Sequence, residues 1–508
     1  MNSRPARSTR WLARGMCVAL ALTLLAGLTS CVGSGTPTST TRTLVVGATL
    51  EPQSMNPFDD TSASIPQVLL YNVYETLVKQ DSDGKIQPLL AQSWDVSDDR
   101  LTYTFHLNPA ATFTSGTPVN ADAVVANIQR LKTDARLTET LKAQLAVVDS
   151  ATAVSATEVQ IKLTRPSMMW LYDMSSTLGM LVDPSFTGDL ASTTAGSGPY
   201  ELGKHNLGQS VVLQKAASYW GSPARFDQVT FRYFSDPNAM NASMLSGDLD
   251  IISNLQAPDA LPQFADTTRF TTLIGTTNGE VVLGLNHKNP ALDDVRVRRA
   301  LTMAIDRKGL MDTVWNGQGT LIGSMVVPTD PWYQDLSGTN PYDPAKAKEL
   351  LKEAGYASGL TLRFRVPVVP YATKSAQFVA SQLRDVGVTA QIEELDFPRW
   401  VREVLTNGDY DMTVVAHVEA RDLGKFANPA YYWHNDDPTF AKLYQEADEA
   451  PPDQAIPLME QAAARLADQA AAVWLFALPN IVITKAGLTG VPANMVTLSF
   501  DLTTIATG

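Results

Sequence analysis

From residue 43 onward, short apolar runs of strand length alternate with longer stretches whose apolar positions recur every three or four residues. That alternation of periods predicts an α/β fold. Residues 43–49 (TLVVGAT), 101–107 (LTYTFHL), 211–213, 229–234, 280–285, 360–369, 387–392 and 409–416 read as strands. Residues 149–163 read as two short strands, 473–484 as one long apolar run, and 496–505 as closing strands. Helical spacing predicts a helix over residues 67–78, with Val68, Leu69, Val73, Tyr74 and Leu77 on one face. Further helices are predicted to begin at Val124 and to span 236–245, 376–384 and 457–472. Asp343 and Pro344 open another, which Gly355 stops.

The stretch 283–315 organises the rest. A strand end passes into a helix that Asp293 or Asp294 can cap, with Val297, Ala300, Leu301, Ala304, Ile305, Met311, Val314 and Trp315 at helical spacing. Arg296, Arg298, Arg299 and Arg307 are interleaved and read as a solvated face with carboxylate partners. Residues 167–181 are rich in Met, Trp and Tyr; such clusters are usually core, though they also line adaptable pockets.

The N-terminus changes the compartment. Arg4, Arg7, Arg10 and Arg14 precede an apolar run over 16–28, and Leu28-Thr29-Ser30-Cys31 resembles a bacterial lipobox. Residues 1–30 are expected to be a lipoprotein signal peptide, Cys31 the lipidation site, and 31–42 a flexible tether. No Arg-Arg pair is present in residues 1–30, which points to the general secretory route. Of the two cysteines, Cys17 lies in the segment to be removed, so no disulfide is expected in the folded part. A net charge of -13 over 508 residues argues against nucleic acid as a partner.

Catalytic patterns are missing from the sequence. The five histidines are not spaced for a zinc site, and G-x-S-x-G, HExxH and a dinucleotide fingerprint are absent. No catalytic residue, metal site or cofactor is expected.

Several phrases carry a resemblance: Tyr74-Glu75-Thr76-Leu77-Val78, residues 88–94 (PLLAQSW), 113–123 (FTSGTPVNADA), 196–200 (GSGPY), Tyr219-Trp220-Gly221, and the central 286–307. In that order they resemble the extracytoplasmic solute-binding proteins of family 5, the peptide and nickel group. The resemblance implies a type II periplasmic-binding-protein-like α/β fold, two lobes with a hinge and an extra N-terminal subdomain. Residues 43–75, 190–283 and 486–508 would form lobe 1, 76–189 the inserted subdomain, and 284–485 lobe 2. It further implies a protein that is not an enzyme, held outside the cell by lipid on Cys31. It would be a monomer that captures a short peptide or other small solute and delivers it to ABC permease and ATPase subunits.

Residues 416–429 (AHVEARDLGKFANP) are similar to the family phrase whose first Asp binds a peptide's α-ammonium, which sets Glu419 at that position. A buried cation must be paired, so a carboxylate there makes physical sense. His417, Arg421 and Asp422 flank it; Tyr431, Tyr432 and Trp433 follow as candidate stacking rings, and Asn56 is a weaker candidate in the opening loop. The other reading of Glu419 is a bridge to Arg421 or another cation. The family's nickel ligand would have only His417 and His434 nearby. An oligosaccharide, metal chelate or haem as the solute, or a cell-envelope role without transport, remain the rival readings.

Overall fold

The computed structural model describes residues 41–60 and 62–508; Cys31, the signal segment and the tether through residue 40 lie outside the described residues. β1 (Thr43–Ala48) begins the described chain, and β2 (Val78–Gln80) and β3 (Ile86–Pro88) form a small hairpin. β4 (Ala91–Val96), β5 (Thr102–Leu107), β6 (Val148–Ser155) and β7 (Glu158–Leu163) form a separate antiparallel sheet in the order β4-β5-β7-β6. In β5 and β7 buried and more exposed residues alternate, as expected for a sheet with one face on a core.

β8 (Tyr200–Asn206), β9 (Ser210–Lys215), β10 (Gln228–Tyr233), β11 (Ile251–Ile252) and β12 (Phe270–Leu285) come next. They are followed by β13 (Leu360–Pro367), β14 (Val388–Leu395), β15 (Met412–His417) and β16 (Val473–Lys485). With β1 these make one ten-stranded mixed sheet, β14-β13-β15-β12-β16-β11-β1-β10-β9-β8. β17 (Leu488–Thr489) and β18 (Ala506–Thr507) pair separately. β15 and β16 are buried almost throughout, which is why their sequences are continuous apolar runs rather than alternations.

β12 and β16 are the long central pair. Their ladder is regular from Phe270↔Lys485 to Thr276↔Pro479, then slips, and resumes at Glu280↔Ala477. Residues 277–279 are therefore out of register with β16. Thr277 Oγ1 donates to the Leu478 carbonyl (2.8 Å) and Asn278 Nδ2 to that of Val496 (3.0 Å), so side chains replace the missing ladder there.

The central stretch departs from its expected form. Instead of one helix there are Pro290–Asp293, Val295–Met303 and Arg307–Trp315, because Asp306 breaks the run and caps the last piece by accepting from Gly309 N. Asp294 caps the middle piece. All eight predicted apolar residues are buried. The arginines divide: Arg296 and Arg299 pair with Asp294 and Asp468 at the surface, but Arg298 and Arg307 are buried. Arg298 donates to the carbonyls of Leu292, Asp293, Gln469 and Ala470, and Arg307 to those of Ile322, Trp474, Ser337 and Asn340. A guanidinium with five donors can fasten four chain ends where no carboxylate is at hand, so the solvated-face reading fails for these two.

Two other expectations are corrected. The helix predicted over 67–78 ends early, at Ser64–Leu69. Tyr71 then turns to φ 65, and Asn72 holds the Val68 and Phe500 carbonyls through Nδ2. Val73, Tyr74 and Leu77 are still buried, but by a loop. The closing strands at 496–505 do not form: that segment is tied to 67–72 by Phe500 N to Gln67 O (3.0 Å) and Leu502 N to Asn72 Oδ1 (2.9 Å).

The early turn delivers Glu75 to a buried meeting point. Its carboxylate accepts from Ser197 Oγ (2.8 Å), Tyr219 Oη (2.6 Å) and Trp220 Nε1 (2.9 Å). Three phrases read separately in the sequence thus meet on one acid. Gly196 and Gly198 are required beside it, since a Cβ on them would come within 1.9 Å of Val73 O and 2.5 Å of Asn72 O.

Candidate functional site

A cavity of about 120 Å³ lies where stretches distant in sequence converge. One wall comes from residues within 60–70 with Thr497 and Leu498, another from Gln80 and residues within 138–177, and the third from Glu419, Ala420 and Arg421. The third wall is the loop that follows β15, held up by the central sheet.

Arg421 reaches across the cavity. It sits in the left-handed region at φ 58, a conformation a non-glycine residue holds only when its surroundings enforce it. Its Nη1 donates to Gln80 Oε1 (2.7 Å) and its Nη2 to the Gly84 carbonyl (3.2 Å). The guanidinium lies 3.8 Å from the Tyr172 ring centroid, and Gln80 is steadied by Ser175 (2.8 Å). Arg421 Nε has no hydrogen-bond partner among the described residues, with Asp330 Oδ1 at 3.9 Å.

Glu419 lines the cavity, and its side chain is 42% exposed. Its Oε2 already accepts from Lys425 Nζ at 2.6 Å, and Lys425 also stands 3.3 Å from Asp422 Oδ2. The cation bridged by Glu419 is thus Lys425, not Arg421. Burial works against ionisation of Glu419, but Lys425 outweighs it and holds the carboxyl below its ordinary value.

His417 and Asp422 lie behind the cavity wall rather than in it. Burial lowers the His417 ring to about 3, so it is neutral, and its Nε2 meets Tyr432 Oη at 2.9 Å. Asp422 is pushed up to about 7 by burial, against the pull of Lys425, and neither of its oxygens has a hydrogen-bond partner among the described residues. Glu280 and Asp330 share this interior: burial raises Glu280 well above its ordinary value and Asp330 to about 6. Neither Glu280, Asp330 nor Lys425 stood out in the sequence, where an isolated charge in an apolar run was the only signal.

Tyr432 and Trp433 are core residues, 3% and 1% exposed, and Trp433 stacks on Phe426 at 3.9 Å. Tyr431 is half-buried and stands 5.5 Å from Lys425 Nζ. Asn56 is buried in its own loop, bonded to Asp59 and Phe58 N, and does not border the cavity. The ring that borders the cavity is thus Tyr172, from the Met/Trp/Tyr-rich stretch, rather than any of 431–433.

One metal-like grouping exists among the described residues: donor atoms of His417, Glu419 and Asp422 lie within 4.8 Å of one another. The Lys425 ammonium stands between both carboxylates, so the cation of this cluster is supplied by the chain itself. His434 is turned away, with Nδ1 3.3 Å from the Pro429 carbonyl. Among the described residues, no helix is long and apolar enough to cross a membrane.

Residues 85–462 match the family model for bacterial extracellular solute-binding proteins, family 5 Middle. The chain is 28% identical to the glutathione-binding protein GsiB of Escherichia coli (strain K12) over 368 residues, 71% of each. It shares its fold with NikA from Brucella suis, solved with Fe(III)-EDTA (TM-score 0.80, 22% identity, 92% of this chain and 100% of that one). DppA from Helicobacter pylori, solved with the peptide STSA, is also similar (TM-score 0.78, 20% identity, 92% and 98%). A ten-stranded mixed sheet with a side sheet agrees with these matches: the chain belongs to the family 5 bacterial extracellular solute-binding proteins, which serve ABC importers and are not enzymes.

Proposed function

We propose that this protein captures short peptides between two lobes and hands them to membrane permease subunits, whose partner ATPases supply the energy. The reading divides the chain into lobe 1 (43–75, 190–283, 486–508), an inserted subdomain (76–189) and lobe 2 (284–485), and it places the lipid anchor on Cys31. The carrying observation is that all three parts wall the one cavity, through Ser62, Tyr172 and Glu419 respectively. β12 runs from lobe 1 into lobe 2 alongside β16, and its slip at 277–279, a few residues before that boundary, would serve as the hinge. At about 120 Å³ the cavity holds only a few waters of about 30 Å³ each, so a peptide enters when the lobes part.

An extended peptide suits such a site because its N–H and C=O groups repeat whatever its side chains are. Glu419 would meet the α-ammonium, and Tyr172 and Arg421 would meet the rest. The relative named for glutathione binding and the neighbour solved with a peptide support this class. The neighbour solved with an iron chelate keeps a chelate as the second reading. Calorimetry with a random tripeptide pool tests the first: heat and a raised melting temperature are expected, and their absence together with binding of a metal chelate would replace it. Glu419→Ala should weaken peptide binding by more than about tenfold, by leaving a buried ammonium short of a partner; unchanged affinity removes Glu419 from the site.

A further inference from the structure

If Glu419 receives a ligand's ammonium, that place is already taken. Lys425 Nζ lies 2.6 Å from Glu419 Oε2, on a side chain only 19% exposed. A second acceptor waits on its other side: Asp422, 3.3 Å away, with a side chain 2% exposed and both oxygens without a hydrogen-bond partner among the described residues. Two ammonium groups on one carboxylate repel each other, and a lysine on a flexible stem can turn from one acceptor to the next. We infer that Lys425 is the specificity-determining residue of the cavity: its ammonium stands in for the ligand's on Glu419, and passes to Asp422 when a ligand with a free amino group arrives.

This rests on the peptide reading and deepens it. Lys425 sets a threshold, since only a ligand cation well placed against Glu419 displaces it. A solute without an amine leaves the pair intact. The hand-over also moves a proton. Burial holds Asp422 protonated up to about pH 7; closing Lys425 onto it favours the carboxylate and sends its proton to solvent. The other groups facing Asp422 do not substitute. Glu280 is raised by burial and by its acidic neighbours, and Asp330 by burial against the pull of Arg421. His417 is neutral, and Tyr431, Tyr432 and Tyr444 are raised and stay protonated.

The test compares a tripeptide pool carrying free amino termini with the same pool N-acetylated, on the unmodified protein, Lys425→Gln and Lys425→Arg. Removing the stand-in should tighten binding of the free-amine pool by about tenfold, as expected when a blocked state is abolished. The acetylated pool should gain several-fold less than the free-amine pool, and Lys425→Arg, which keeps a cation on Glu419, should not reproduce the tightening seen with Lys425→Gln. Calorimetry of the unmodified protein at pH 6, in buffers of different ionisation enthalpy, should show release of a fraction of a proton, up to about one, with the free-amine pool and none with the acetylated pool. Free-amine binding that Lys425→Gln weakens or leaves unchanged, or equal proton release with both pools, overturns the inference alone. Binding of neither pool overturns the peptide reading and this inference with it.

Discussion

Glu75 shows how much a single acid can hold. It is 1% exposed, and three donors from two distant segments, Ser197, Tyr219 and Trp220, converge on it. Burial raises its carboxyl to about 7, with the three hydrogen bonds opposing. Glu75→Ala would strand all three donors in a dry interior, and roughly 2–4 kcal/mol of stability should be lost in urea unfolding. A loss under about 0.5 kcal/mol would show that the donors find other partners. Glu75 was legible in the sequence only as part of a phrase; that it joins two other phrases depends on the turn at Tyr71. Arg298 and Arg307 teach the same lesson. Their spacing on a helix was plain, but their acceptors are carbonyls from residues 292–293, 322, 337–340, 469–470 and 474, which the helical period cannot reveal.

Elements were legible where one period ran clean. β1, β5, β10, β13 and β15 fall where apolar runs predicted them; Asp343 caps its helix as expected, and of the two candidates Asp293 and Asp294 it is Asp294 that caps. The failures lie where tertiary contacts outbid local pattern, at 67–78 and at 496–505. β12 was read from its last six residues alone, because its first ten mix polar and apolar positions along the joint with β16. In that strand pair, the amides of Asn278 and Gly279 should exchange with solvent at least about tenfold faster than those of 281–285, because their ladder is interrupted. Gly279 N donates to Thr277 Oγ1 at 2.9 Å instead of to a paired strand. Hydrogen exchange read by mass spectrometry decides this; uniform protection across 277–285 would count against a hinge at that point.

The whole molecule carries several buried acids whose protons are held tightly. Glu75 and Asp422 are raised to about 7, Asp330 to about 6, and Glu280 well above its ordinary value, burial being the leading cause in each. Folding binds these protons more strongly than the unfolded chain does. Their contribution is complete below the ordinary carboxylate range and is lost as pH rises through about 6 to 7. Glu403 acts oppositely: Arg399 and Arg365 hold it at about 2, so its contribution is lost as pH falls below about 4.5. The melting temperature should therefore peak near about pH 4 to 4.5 and decline as pH rises to about 7. A melting temperature that rises steadily to pH 8 would mean that these acids are ionised and solvated in the folded protein.

By itself the sequence determined the class of the fold, most strands and helix starts, and the family, because periodicity, caps and phrase order are local properties. Tertiary structure alone decided which charges meet. Lys425 lies six residues from Glu419 in sequence, yet only the turn through Asp422–Ala427 sets its ammonium against both acids, and only the tertiary fold brings Arg421 to Gln80 and Tyr172. Partners of a charged group depend on burial and on chain segments hundreds of residues away, and no period in the sequence records either.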